Sequence, residues 1–347
     1  EMVGATVDCY VPHRLEEGYG LNIEAVDKLI ADGAEMLITV DCGVSAVEPV
    51  ARAAAAGVEV IVTDHHTVGD ELPPADAIVH PLLPGSEYPN VNLAGAGVAF
   101  KLAWQVARTI CGSNRVDAKM RQFLLDAMCF AALGTIADVV PLLGENRVLA
   151  KFGLSGLRDT EHIGLRALLA SAKLTGEKLD AYHVGFVLGP RLNAAGRMGH
   201  ARLAVEMLTG ASPERSAEIA QYLDEQNLER RKVQDDITAQ AIETVESEGL
   251  DAPDRRAIVV GGENWHGGVI GIVASRLVGE FGRPAIVFSL GDDVSRGSAR
   301  SIDGFDMHTA LTACADHLEG FGGHAMAAGM TIDKRKFNAF SEAFVDY

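Results

Sequence analysis

The sequence predicts an α/β protein with a parallel-sheet domain over residues 1–212, a long connecting helix over 213–250 and a smaller α/β domain over 251–347. Three observations carry that reading. Short, nearly all-apolar runs alternate with alanine-rich stretches early in the chain, as parallel strands alternate with crossover helices. A long polar stretch with apolar residues at helical spacing follows Ser212-Pro213 and ends at Gly249. Strand-like and helical runs then resume and give way to a glycine-rich end. A length of 347 residues agrees with two domains, because single cores stop growing at about 250–300 residues.

Taken in order, the first ten residues, EMVGATVDCY, read as a strand already in progress and lack the basic-then-apolar layout of a signal peptide. Residues 36–40 (MLITV) form an apolar run ending at Asp41, and 44–56 have helical, alanine-rich composition. Residues 58–63 (VEVIVT) form a second run ending at Asp64. Strands this apolar predict a sheet covered on both faces. Residues 72–89 hold five of the twelve prolines and are expected to be loop. Residues 97–110 and 118–133 read as helices, the second running into GTIADVVPL. The long helix is placed by Ser212 as N-cap, Pro213 in the first turn and Ile237, Ala241 and Val245 at helical spacing. Strand-like runs at 256–260 and 284–288 bracket a helix at about 268–280. No internal repeat or low-complexity tract interrupts the chain.

Composition bounds the function. The net charge of −18 counts against broad duplex binding, since proteins that grip nucleic-acid backbone carry a basic footprint. Acids that bind cations would soften that charge, and arginine outnumbers lysine 21 to 9, which suits bidentate phosphate contacts. Aromatics, at 6 %, are too few for stacking platforms to be spread along the chain. The five cysteines form no CxxC pair and read as buried thiols of a reducing cytoplasm, not as zinc ligands or disulfides. No stretch reaches the ~20 uninterrupted apolar residues of a membrane span.

The chemistry concentrates where strands end. Asp41 and Asp64-His65-His66 each follow a parallel-type strand, and ligands of open α/β sheets bind at those carboxyl ends. Oxygen and nitrogen donors without thiolate point to Mn²⁺ or Mg²⁺. Asp41 alone is equally a helix N-cap, and two adjacent histidines alone are equally a backbone-bonded loop pair. Asp138 is a lone acid in an apolar stretch, costly to bury unless paired, capped or metal-bound. Arg14 follows a strand-like YVP and fits a phosphate contact or a surface ion pair. Arg191 and Asn193 are placed in a glycine-bounded loop, where arginine could grip phosphate. Gly322-Gly323-His324 permits backbone to approach a ligand closely. His266, beside Trp265, is either a nucleic-acid contact or core.

These segments resemble a known family. Thr63-Asp64-His65-His66 resembles the signature of the DHH phosphoesterase superfamily, TVDCG at 39–43 its second motif and GTIADVVPL at 134–142 its fourth. GYGLN at 18–22, GPRLNAAGRMG at 189–199 and GSARS at 297–301 resemble its RecJ branch. WHGGVIGIVASRL at 265–277 and FGGHAMAAGM at 321–330 resemble the companion DHHA1 domain. The resemblance implies a dinuclear Mn²⁺ or Mg²⁺ site with Asp41 bridging, His65 and Asp138 as further ligands, His66 beside them and Asp64 behind. It also implies that Ser298, Arg300, Gly323, His324 and His266 hold the strand. The implied activity is 5′→3′ exonuclease action on single-stranded DNA in recombination and repair. A helicase or a single-strand-binding protein is the implied partner, in the cytoplasm and away from membranes. The family's first acidic motif would precede VDCYVPHR, so this polypeptide is expected to bind one metal weakly or none and to be inactive alone. The alternatives are a phosphodiesterase of short oligonucleotides or cyclic dinucleotides, and a non-catalytic scaffold on the same fold.

Overall fold

Met36–Val40 (β1), Glu59–Thr63 (β2) and Ala77–Val79 (β3) form a parallel sheet in the order β1-β2-β3. The computed structural model describes residues 3–12, 17, 20–198 and 201–347. Met36 pairs with Glu59 and Val40 with Thr63, so β1 and β2 end side by side. Helices Ile23–Ala31 (α1) and Val47–Ala55 (α2) cover one face, burying Val26, Val50 and Ala53 against Leu37, Val60 and Val62. Asn22 caps α1 by accepting from Ala25 N.

Three expectations change here. The opposite face of β1 is open, with Met36, Ile38 and Val40 about half exposed, although the strand's composition predicts cover on both sides. Apolar content reports what a strand can bury, not what packs on it. The proline-rich segment expected as loop contains β3, whose three residues lie between its prolines and pair with Ile61–Thr63. Residues 5–12, expected as a strand, have no regular structure.

The rest of the first unit is helical: Gly95–Ile110 (α3), Ala118–Ala137 (α4), Gly144–Arg158 (α5), Ile163–Ser171 (α6), a π-helical turn His183–Leu188, Gly189–Met198 (α7) and Ala201–Thr209 (α8). By length and composition α4 could cross a membrane. It instead packs between α3 and α5, with Leu124, Ala131, Leu133 and Ile136 buried in two adjoining cores. Close approach explains its glycine neighbours, since a Cβ at Gly153 of α5 would collide with Ala132, and one at Gly134 with Ala96.

Pro213–Ser247 (α9) is one 35-residue helix. The chain divides within it, into units Glu1–Glu225 and Gln226–Tyr347. Its first part buries Ile219, Ala220 and Leu223 in the first unit, and its last part buries Ile237, Ala241 and Val245 in the second. Both parts of the helix are therefore core elements as well as a connection.

The second unit is a five-stranded mixed sheet in the order β4-β5-β6-β8-β7, from Ile258–Glu263 (β4), Ala285–Leu290 (β5), Val294–Arg300 (β6), Gly320–Gly323 (β7) and Ala327–Asp333 (β8). Period-two alternation divides its strands between two cores. Ile258, Val260, Ala285 and Val287 face α9 and Ile270–Phe281 (α10). Val259, Ile286 and Phe288 face Met307–Ala313 (α11) and Phe337–Asp346 (α12). All five cysteines are free, but only Cys129 and Cys314 are buried; Cys9 is exposed and Cys42 and Cys111 are intermediate.

Candidate metal centre

Each strand of the parallel sheet delivers a polar side chain from the residues just past its carboxyl end. Asp41 follows β1 and continues the ladder, donating its N–H to Thr63 O at 2.9 Å. It sits in the left-handed region at φ 62°, where a non-glycine residue is uncommon and carries strain. Thr39 supports this turn, its hydroxyl donating to Cys42 O at 2.7 Å. The Asp41 carboxylate lies over Gly95, the first residue of α3, where any Cβ would collide with Oδ1.

Asp64, 1 % exposed, organises the end of β2. Its Oδ2 accepts from Val44 N at 3.0 Å and its Oδ1 from His65 N at 2.7 Å. Oδ1 also lies 2.7 Å from His66 Nδ1. Burial alone would raise its pKa, but the His66 ring and three backbone N–H groups overrule that and hold it far below the usual carboxylate range. His66 is in turn pushed up by Asp64, against burial.

His65 projects beside this frame. Its Nε2 stands 3.1 Å from Asp41 Oδ1 and 3.4 Å from Asp138 Oδ2. Asp138 is the C-terminal cap residue of α4. The Nε2 atom is buried between the two carboxylates. Asp41 foremost, with Asp138, raises the His65 pKa against burial. Burial raises that of Asp138, which His65 opposes. Asp138 is partly open, its side chain 43 % exposed, so the burial expected of a lone acid in an apolar stretch is only partial. The helix end carries it to the rim of the sheet instead of into the core.

Donor atoms of Asp41, His65 and His66 lie within 4.8 Å of one another. Two carboxylates converging on one imidazole nitrogen is an arrangement a shared cation would satisfy. The donors are oxygen and nitrogen, which fits Mn²⁺ or Mg²⁺ and leaves thiolate-seeking metals unserved.

His80, immediately after β3, escapes the sequence reading. It is buried, and its Nδ1 accepts from Leu82 N at 3.0 Å, so Nε2 donates to His66 O at 2.8 Å. Burial lowers its pKa, keeping the ring neutral. The signal was available in AIVH, a short apolar run ending in histidine, but the prolines hid the strand.

The remaining predicted residues are dispersed. Arg14 lies outside the described residues, as do Gly18 and Tyr19 of GYGLN. Arg191 and Asn193 are on helix α7, not in a loop, because the flanking Gly189 has helical dihedrals. Arg191 is turned inward, donating to Val187 O at 2.8 Å and paired with Asp224 at 2.8 Å, whereas Asn193 is exposed. In the second unit, Ser298 and Arg300 lie on β6 facing the first turn of α10; a Cβ at Gly271 would meet Ser298 Oγ at 2.8 Å and Arg300 Nη2 at 3.0 Å. Ser298 pairs across the sheet with Gly329, which pairs with Gly322, so on that side of β6 the row has no bulky side chain. Gly323 is the last residue of β7, at φ 145°, and the exposed His324 follows, its N–H bonded to Ala327 O at 2.8 Å. His266 is half-buried and accepts from Gly268 N at 3.1 Å through Nδ1.

Comparison with known proteins agrees with this layout. Residues 1–132 match the DHH family, N-terminal domain, and residues 254–347 match the DHHA1 domain. The chain is 45 % identical over 337 residues to the single-stranded-DNA-specific exonuclease RecJ of Bacillus subtilis, covering 96 % of this chain and 40 % of that protein. It is 39 % identical to the RecJ of Escherichia coli, covering 98 % of this chain and 60 % of that one. The chain thus spans roughly half the length of the curated relatives it matches. The crystal structure of exonuclease RecJ bound to manganese superposes with a TM-score of 0.83 at 35 % identity, covering all of this chain and 83 % of the other. RecJ in complex with Mn²⁺ from Thermus thermophilus superposes with a TM-score of 0.82 at 33 % identity, covering 94 % of this chain and 46 % of the other.

Proposed function

The chain belongs to the RecJ family, with its DHH and DHHA1 domains, and from that premise we propose that it hydrolyses phosphodiester bonds of single-stranded DNA from the 5′ end, using Mn²⁺ or Mg²⁺, in recombination and repair. The observation that carries the proposal is His65 Nε2, which stands 3.1 Å from Asp41 Oδ1 and 3.4 Å from Asp138 Oδ2. Asp41, His65 and Asp138 would hold the cation, whose contribution is Lewis acidity at the phosphoryl oxygens. Asp64 fixes the ring of His66 through Nδ1, an orientation that would aim the ring at an anionic phosphate. The raised pKa of His66 favours the charged form that such a contact needs. His80 locks the backbone of that residue from behind.

Substrate contacts in the second unit would come from Ser298 and Arg300 at the first turn of α10, with Gly323, His324 and His266 as further candidates in that unit. Backbone N–H groups at a helix N-terminus add to the attraction for a terminal phosphate. Arg14 and Asn193 remain candidates for strand contact, and Arg191 would have to exchange Asp224 for phosphate. An enzyme restricted to single strands needs them supplied, so a helicase or a single-strand-binding protein is the fitting partner, in the cytoplasm and not at a membrane.

The test is degradation of a 5′-phosphorylated, 3′-labelled single strand with Mn²⁺, beside a calorimetric Mn²⁺ titration. The expected result is Mn²⁺ binding, weak in this chain, that His65→Ala abolishes, and, in a version extended by the family's first acidic motif, labelled fragments that shorten from the 5′ end. Absence of Mn²⁺ binding would sink the metal site, and early release of the label would reverse the polarity. A second reading, cleavage of short oligonucleotides or cyclic dinucleotides, is favoured by the −18 charge. Preference for a dinucleotide over a longer strand in the same assay would select it.

A further inference from the structure

Large apolar side chains normally find cover, yet four lie largely exposed near the candidate metal centre. Val139 is 86 % exposed, Leu143 73 %, Phe186 64 % and Tyr182 63 %, the highest values for such residues among those described. Val139 directly follows Asp138, and Leu143 precedes α5. Tyr182 and Phe186 belong to the π-helical turn and its N-cap. The two segments adjoin, since a Cβ at Gly189 would stand 3.7 Å from Ala137 Cβ, one residue before Asp138. The turn itself packs on α4.

Folding does not require these side chains to be apolar. Val184 and Leu188 already anchor the turn in the core, so positions 182 and 186 are free to be polar. They instead carry two rings stacked at 5.1 Å with planes 27° apart. Val139 sits at φ 59°, a conformation unfavourable for a β-branched residue. The π-helical turn is also a rare geometry that is frequent at functional sites.

We infer that Tyr182 and Phe186, with Val139 and Leu143, form the platform on which bases of the single strand stack while its phosphate lies at Asp41, His65 and Asp138. Surface bordering the cation must stay open to substrate, so a permanent protein partner there would close the site. Bases are the flat, apolar part of a nucleic acid, and every base has a π face, which makes stacking tolerant of sequence. Duplex bases are already stacked on one another, so the same platform discriminates against duplex. This inference rests on the phosphodiesterase reading.

The test compares binding of a fluorescent twelve-residue thymidine strand with that of an abasic strand of equal length, by anisotropy in metal-free buffer. The wild-type chain is expected to prefer the thymidine strand by about tenfold or more. Tyr182→Ala/Phe186→Ala should erase the preference and leave abasic binding and Mn²⁺ affinity unchanged. A preference that survives in the variant, or is missing in a wild-type chain that binds both strands, overturns the platform and leaves the phosphodiesterase reading intact. If the wild-type chain binds neither strand, that reading falls and the platform with it. Should the alanine pair fail to fold by circular dichroism, Tyr182→Leu/Phe186→Leu, apolar but not flat, decides on the same criterion.

Discussion

At the scale of single residues, the metal centre depends on one missing side chain. Gly95 has no Cβ, and the Asp41 carboxylate occupies the space a Cβ would take. Gly95→Ala would force Asp41 out of the left-handed turn that aims it at His65. The expected outcome is a loss of Mn²⁺ affinity of about tenfold to a hundredfold, the range seen when a ligand's supporting contacts are removed. Electron paramagnetic resonance of free Mn²⁺ checks this, with thermal melting as the control for global stability. Unchanged affinity would mean that Asp41 is placed by its own turn alone. His80 illustrates the same dependence, since it touches no candidate ligand atom yet holds the backbone of the residue after His65.

At the scale of elements, the helices beside the sheet must hold Asp138 at the end of α4 in register with His65. Part of that hold is a polar clamp at the start of α5. Glu145 accepts from Lys101 of α3 at 2.7 Å and from Tyr88 OH at 2.6 Å. Burial alone would raise the Glu145 pKa, but these two partners bring it below its ordinary 4.5. A lowered folded-state pKa contributes stability that is fully present above the unfolded value and is lost as pH falls through the folded one. Glu145→Gln should therefore lower the melting temperature near neutrality by about 2–4 °C, for roughly 1 kcal/mol. The difference from wild type should shrink as pH drops below about 4. A difference that persists unchanged at low pH would assign the effect to packing, not charge.

At the scale of the whole molecule, a net charge of −18 has to coexist with the polyanionic substrate proposed above. The basic groups proposed for phosphate are few, Arg300 in the second unit and His66 in the first, with any bound cation. Binding should thus be governed by a short footprint and by the cation. The expected slope of log affinity against log salt is about −2 to −3, at roughly 0.7 per phosphate contacted on a single strand. Titrating strand into protein at several salt concentrations measures it, and Mn²⁺ should raise affinity at every one. A slope several times steeper would reveal a long basic channel.

Sequence alone determined the period, order and type of most elements, because apolar spacing and capping residues act locally. β1, β2, the long α9 and the strands around α10 are all legible in MLITV, EVIVT, Ser212-Pro213 and the runs at 256–260 and 284–288. It also singled out Asp41 and His65 because they follow strands, and Asp138 as a lone acid in an apolar stretch. Tertiary structure decided what lies between those ends. β3 exists because it pairs with β2, against the proline signal around it. Arg191 points inward because Asp224, thirty-three positions later, is its partner on α9. The convergence of Asp41 and Asp138 on one imidazole nitrogen joins residues nearly a hundred positions apart, and only packing of α4 beside the sheet brings them together. Local chemistry writes the elements, whereas contacts distant in sequence, absent from any short window, choose which of their side chains meet.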